Sequence, residues 1–199
     1  AGLPQTDDEG HTYYDMNADE FASEMKEIAS LNVHVLGGCC GTTPEYLSKT
    51  IELVKDLPIE PPVKKNISVV TSFSQAVEIG PKPVIIGERI NPTGKKKFKQ
   101  ALRDGDINYI LSEGLKQEDA GAHILDVNVG LPEIDEPKMM VEVMKKLQSV
   151  IALPLQIDTS DPIALEAALR HYNGKAMINS VNGKQESMDA VFPLVKKYG

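Results

Sequence analysis

The sequence predicts an α/β fold with a parallel sheet, and three observations carry that expectation. From Pro83 onwards four short apolar runs, Val84 to Ile86, His123 to Val127, Leu153 to Ile157 and Ala176 to Ile178, alternate with segments long enough for a helix each. Such alternation implies parallel pairing through right-handed crossovers, and four units make half of an eightfold barrel or one side of a doubly wound sheet. Carboxylates and amides recur at the same end of each run. Ahead of this region, Leu57 to Lys65 carries three prolines and two lysines, the composition of a linker.

The elements follow in order. Asp15 to Ser30 places Phe21, Met25 and Ile28 at helical spacing, and Val33 to Leu36 is an apolar run ending in two glycines, which reads as helix and then strand. Thr43 before Pro44 supplies an N-cap and a first-turn proline, so Pro44 to Lys55 reads as a second helix packed by Leu47, Ile51 and Val54. Ile67 to Val70 and Gln75 to Glu78 suit a small hairpin. Beyond it, Ile107, Ile110, Leu111 and Leu115 fit one helical face, Met140, Val143, Met144 and Leu147 a second, and Leu165, Ala168, Leu169 and Tyr172 a third. Pro137 and Pro162 sit where first-turn prolines belong. The expected organisation is a first module over 1–56, a linker with a short hairpin over 57–82, and the strand-helix region over 83–199. The chain opens on Ala1 in a polar run and stops at Gly199 after an apparent helix, and is expected to be an excerpt of a longer one.

Composition narrows the function classes. With 199 residues, 41% hydrophobic and 25% charged, the chain is expected to be soluble and globular. A net charge of -8 argues against nucleic acid or an anionic membrane as partner, in spite of local basic runs such as Lys95 to Lys97. No stretch approaches the roughly 20 apolar residues that span a bilayer, and nothing resembles a signal peptide, so a cytoplasmic location is expected. Two adjacent cysteines, Cys39 and Cys40, are not how a secreted domain is stapled.

The candidate site lies in the strand ends. Gly87-Glu88-Arg89-Ile90-Asn91 follows the first run, Asp126 and Asn128 end the second, Asp158-Thr159-Ser160 ends the third, and Asn179-Ser180 ends the fourth. In a parallel barrel these ends line one mouth, so the side chains converge on one ligand. No phosphate loop, aromatic cluster or cationic cluster accompanies them, which suits a polar heterocycle with a dense donor and acceptor edge. Structural roles compete: Asp158 as a helix cap, although Asp161 before Pro162 is the better one; Asn179 satisfying loop backbone; and Glu88 paired with Arg89. His123 and His171 read as structural. In Gly37-Gly38-Cys39-Cys40-Gly41, flanking glycines let two adjacent thiols face one metal. A vicinal disulfide or two buried thiols remain alternatives. Zinc needs further ligands, the chain has no third cysteine, and His11 and His34 are the candidates for the remainder.

Val35-Leu36-Gly37-Gly38-Cys39-Cys40-Gly41-Thr42-Thr43-Pro44 resembles the signature near the end of the homocysteine-binding barrel of zinc-dependent methyltransferases, and Ala1 to Pro4 and Thr12 to Asp15 resemble the stretch leading to it. Ile85 to Gly94, Ile-Ile-Gly-Glu-Arg-Ile-Asn-Pro-Thr-Gly, resembles the opening of a pterin-binding barrel, with Leu125 to Gly130, Ile157 to Ser160 and Met177 to Ser180 following in order. The tandem is similar to that of the cobalamin-dependent methionine synthases (5-methyltetrahydrofolate-homocysteine methyltransferases). That resemblance implies parts of two (β/α)8 TIM barrels joined by a linker, the second about half complete. It implies methyl transfer from 5-methyltetrahydrofolate to cob(I)alamin, carried by another domain, and then to homocysteine to give methionine. Cys39 and Cys40 become zinc ligands with a third cysteine upstream, and Glu88, Asn91, Asp126, Asn128, Asp158, Asn179 and Ser180 line the methyltetrahydrofolate mouth. Asp158 suits the forked donor edge of the pterin. No catalytic residue is assigned; in the family an asparagine of a later strand, past Gly199, approaches the pterin N5. A dihydropteroate-type synthase without the homocysteine step, or a non-catalytic fragment, is the alternative.

Overall fold

The structure is a computed structural model that describes residues 2–61, 63 and 65–199. It divides into two compact units, Ala1–Lys65 and Asn66–Gly199. No helix among the described residues is long and apolar enough to cross a membrane.

The first unit starts with a two-residue hairpin, β1 (Gln5–Thr6) and β2 (Thr12–Tyr13), followed by α1 (Ala18–Ser30) and α2 (Pro44–Val54). Helix α1 begins three residues later than the spacing of apolar residues suggests because Asn17 caps it. The Asn17 side chain accepts from the backbone N–H groups of Asp19 and Glu20, and Glu20 returns the bond to the Asn17 N–H. The Phe21 and Tyr46 rings meet edge to face at 5.5 Å, and the Tyr46 hydroxyl donates to the Met16 carbonyl at 2.7 Å. This contact turns Tyr46 and Thr50 of α2 inward and leaves Leu47 and Ile51 exposed, contrary to the expected packing face. Thr43 precedes Pro44 as expected but makes no side-chain cap bond. Val33 to Leu36 forms no strand. Among the described residues no neighbouring strand takes its hydrogen bonds, and Val35 is 87% exposed.

The second unit opens with an antiparallel hairpin, β3 (Ser68–Thr71) and β4 (Ala76–Ile79), one residue later than expected. A parallel sheet follows, β5 (Ile86–Ile90), β6 (Ile124–Val127), β7 (Leu155–Asp158) and β8 (Met177–Asn179), in that spatial order. The helices are α3 (Lys96–Asp104) and α4 (Ile107–Asp119) after β5, then α5 (Glu136–Leu147), α6 (Pro162–Leu169) and α7 (Gln185–Tyr198) after successive strands. They pack in sequence, α3 on α4 through to α6 on α7. Strands β5 and β8 are the open edges of the sheet. The result is an α/β fold with the architecture of part of a parallel (β/α)8 barrel.

The expected helical faces are largely the observed ones. Met140, Val143, Met144 and Leu147 of α5, and Leu165, Ala168 and Leu169 of α6, are buried with Tyr172 just beyond, against Leu125, Val127, Leu155 and Ile157 of the sheet. Asp135 and Asp161 cap these helices by accepting from the Lys138 and Ile163 N–H groups. In α4 the buried face turns towards Ile110, Gly114 and Gln117, and Leu115 is exposed. At Gly114 a Cβ would sit 2.6 Å from Ile151 Cδ1, so a larger residue would make the Ile151 side chain move. The hairpin docks at the N-terminal ends of the strands. Thr71 and Lys175 exchange backbone bonds, the Ser72 hydroxyl donates to the Ala152 carbonyl, and the Tyr172 hydroxyl donates to the Thr71 carbonyl while accepting from the Leu155 N–H.

Candidate functional site

Side chains alternate across a strand, and that alternation separates core from mouth. Leu125 and Val127 of β6, and Leu155 and Ile157 of β7, face the helices. Asp126, Gln156 and Asp158 therefore face the other way, with Asn128 one step beyond the end of β6. The register pairs Asp126 with Gln156 and Asp158 with Asn179. Carboxylates and amides thus alternate across the C-terminal ends of three adjacent strands.

Hydrogen bonds knit this layer. The Gln156 amide donates a short bond to Asp126 Oδ1, and the Asn179 amide lies near enough to favour the charged form of Asp126. Asn128 Nδ2 donates to Asp158 Oδ2 at 3.0 Å, while its Oδ1 accepts from the Gly130 N–H at 2.9 Å. Asp126 is only 3% exposed. Burial pushes its carboxyl above the usual range, the charges of Asp158 and Glu88 push the same way, and the Gln156 and Asn179 amides oppose the shift.

Asp126, Asn128, Asp158 and Asn179 thus come together. The remaining candidates stand differently. Strand β5 extends through Glu88 to Ile90, so Glu88 and Arg89 lie within the strand rather than after it. Glu88 is exposed and pairs with Lys95 at 3.1 Å, not with Arg89. Asn91 is buried, and its side chain accepts from the Thr93 N–H within its own loop. Ser180 is exposed next to Asn179. A cavity of about 450 Å3 adjoins the layer through Asn128 and is walled by Thr93, Leu131, Glu136, Thr159 and Ser160. Its Thr159 hydroxyl donates a short bond to Glu136. The sequence by itself does not single out Gln156 or Glu136, which bond Asp126 and Thr159. Gln156 is two residues before Asp158 and so on the same strand face, a signal its position inside an apolar run hides.

In the other unit, Cys39 and Cys40 are exposed thiols, not a vicinal disulfide and not buried. Gly41 has φ +77°, and a Cβ there would run into the Tyr14 ring. The Cys39 carbonyl accepts from the Thr42 N–H at 3.0 Å, closing the turn. The other ligand candidates are engaged elsewhere: His34 with the Glu60 carbonyl, and His11 with Asp7 and Glu9. Among the described residues no group of three or more His, Cys, Asp or Glu is arranged to hold a metal. Two soft thiols suit zinc as far as they go, and further ligands would have to come from outside those residues. His123 and His171 are structural: Nδ1 of His123 accepts from the Ile85 N–H, and Nδ1 of His171 bonds the Ala167 carbonyl.

The model of the pterin binding enzyme family matches residues 87–199, more than half of the chain, and the chain belongs to that family. The homocysteine S-methyltransferase model matches residues 1–54. Among solved structures, a dihydropteroate synthase of Xanthomonas albilineans bound to indole-2-carboxylic acid and 6-chloroguanine is 22% identical with a TM-score of 0.48, over 63% of this chain and 46% of that one. The same enzyme with 7,8-dihydropteroate is 25% identical with a TM-score of 0.42, over 57% of this chain and 41% of that one. The chain spans less than half the length of these structures.

Proposed function

We propose that the chain is part of a methyltransferase that moves the methyl group of 5-methyltetrahydrofolate to cob(I)alamin and then to homocysteine, giving methionine and tetrahydrofolate. The observation that carries this reading is the order of modules: a homocysteine S-methyltransferase match over 1–54 precedes a pterin binding enzyme match over 87–199. A dihydropteroate-type synthase has no use for the first module, which makes that reading the weaker one.

In this reading the mouth at the strand ends holds the pterin. A reduced pterin presents ring N–H and exocyclic amine donors side by side, the arrangement a carboxylate accepts as a forked pair. Asp158 is the acceptor, held in place by the Asn128 amide. Asn179 and Asn128 donate and accept around the remaining edge, with Asp126 behind them and Glu88, Asn91 and Ser180 at the margin. None of these side chains acts as nucleophile; a corrinoid bound by another domain supplies the nucleophilic metal. In the first module, Cys39 and Cys40 would be two ligands of a zinc ion, which lowers the pKa of a bound homocysteine thiol.

Asp158→Asn tests the pterin assignment. Losing a charge-assisted bond costs about 1.5 to 3 kcal/mol, so affinity for 5-methyltetrahydrofolate, measured by calorimetry, should fall roughly 10- to 150-fold. Unchanged affinity in a folded variant would overturn the assignment.

A further inference from the structure

We infer that Gln156 is a positioning residue of the pterin mouth, its side-chain amide holding Asp126 as an ionised, correctly oriented acceptor beneath the ligand. The inference rests on the pterin reading above and extends it to a residue in the layer below the ligand-facing carboxylate.

Asp126 is buried, on the mouth side of a strand that is buried along its whole length. A buried carboxylate keeps its charge only with a cation or with hydrogen-bond donors. Among the described residues Asp126 forms no ion pair with Lys, Arg or His, and Lys95 is bound to Glu88. The charged groups that face Asp126 are both negative, Asp158 from β7 and Glu88 from β5. Two amides oppose them, Gln156 and Asn179. They are not equivalent. Asn179 ends β8 at the open rim, where a ligand competes for its amide. Gln156 is the direct register partner of Asp126, one layer deeper than Asp158, and half-buried. Its bond therefore survives when the mouth is filled. A methionine at this position would match the shape and remove the donor, leaving Asp126 among negative neighbours. Protonation would then convert an acceptor-only group into one presenting an O–H to the donor edge of the pterin.

The test uses the whole chain, with Gln156→Met, Gln156→Glu and Asp126→Asn. Two quantities are read across the whole pH range in which the protein stays folded: titration of the Asp126 carboxyl by carbon NMR in the ligand-free protein, and 5-methyltetrahydrofolate affinity by calorimetry. In Gln156→Met the Asp126 carboxyl should titrate at higher pH than in wild type. Affinity should fall roughly 10-fold at the acid end, the lower limit for a lost bond to a charged group, and recover at the alkaline end. Combining Gln156→Met with Asp126→Asn should abolish that pH dependence. A loss of affinity equal at every pH, or an unmoved Asp126 titration in a folded variant, would overturn the inference. If Gln156→Met does not fold, Gln156→Glu carries the same test, because a third carboxylate displaces the titration in the same direction. Failure of wild type to bind 5-methyltetrahydrofolate at any pH would overturn the pterin reading instead, and the NMR titration then decides the Gln156–Asp126 link by itself.

Discussion

Replacing Tyr172 by phenylalanine removes a single oxygen that serves two elements. The hydroxyl donates to the Thr71 carbonyl at 2.8 Å and accepts from the Leu155 N–H at 2.9 Å, tying the β3–β4 hairpin to the first residue of β7. The Thr71 carbonyl keeps a second donor, the Lys175 N–H at 3.2 Å, so its loss is small. The Leu155 N–H is left buried without its acceptor, which costs about 1 to 3 kcal/mol. A second signature distinguishes this mechanism from a general packing defect. Burial pushes the Tyr172 phenol from 10.0 up to about 12, against a smaller opposing effect of the Leu155 bond. A folded-state value raised above the unfolded one means that the fold favours the neutral phenol. Its contribution is complete below about pH 10 and is lost as pH rises from about 10 through about 12, amounting to roughly 2 to 3 kcal/mol. Urea unfolding followed by circular dichroism should therefore show Tyr172→Phe less stable by about 1 to 3 kcal/mol at pH 7, with a shallower alkaline decline than wild type. A variant within about 0.5 kcal/mol of wild type at pH 7, or two parallel alkaline declines, would refute the two-bond account.

Three further outcomes are expected. Gly174→Ala should lower the melting temperature markedly, because Gly174 has φ +151° and a Cβ there meets the Thr71 carbonyl; an unchanged melt would show that the hairpin docks otherwise. Met144→Ala, at a position with no exposed surface in the core between α5 and the sheet, should cost about 2 to 5 kcal/mol in chemical denaturation, and a loss under about 1 kcal/mol would contradict that packing. Zinc added to this chain should be substoichiometric after gel filtration and released by chelator, since the described residues offer two thiols and no third ligand; stoichiometric, chelator-resistant metal would mean that another group completes the site.

The parts of the fold legible in the sequence are those where the local physical signals agree. Helices α5 and α6 show an unbroken apolar stripe, a first-turn proline and an aspartate cap, and each signal agrees with the others. Strand β5 starts two residues later than its apolar run because apolarity and hydrogen bonding diverge there. Pairing with β6 is made at Ile86, Gly87 and Ile90, with a register shift between Gly87 and Ile90, so the strand carries the polar Glu88 and Arg89 through a stretch whose composition looks like loop. Helix α3 is masked for the opposite reason: Phe98, Ala101 and Leu102 bury one stripe among lysines 96, 97 and 99. Val33 to Leu36 has the composition of a strand, but a strand is a property of a pair. In the mouth, residue types at the strand ends point to Asp126, Asn128, Asp158 and Asn179, which the structure brings together. Their mutual bonds depend on cross-strand register, which no single segment encodes.

The two ends of the sheet carry different burdens, and this separation is itself testable. At the N-terminal ends, the Tyr172 hydroxyl, the Thr71–Lys175 backbone pair and Ser72 close the base with groups whose partners are all within the chain. At the C-terminal ends, Asp158, Asn179 and Asn128 leave hydrogen-bonding capacity facing outward, and Asp126 is buried at an electrostatic cost that the amides only partly offset. In parallel barrels this polarity assigns stability to one end and ligand chemistry to the other. On the proposed pterin reading, Tyr172→Phe should consequently lower stability while leaving 5-methyltetrahydrofolate affinity within about twofold, and Asp158→Asn should do the reverse, relieving like-charge repulsion with Asp126 at the cost of affinity. Measured in the same chain, a stability loss in Asp158→Asn comparable to that of Tyr172→Phe would show that the mouth is part of the scaffold rather than a site held in readiness by it.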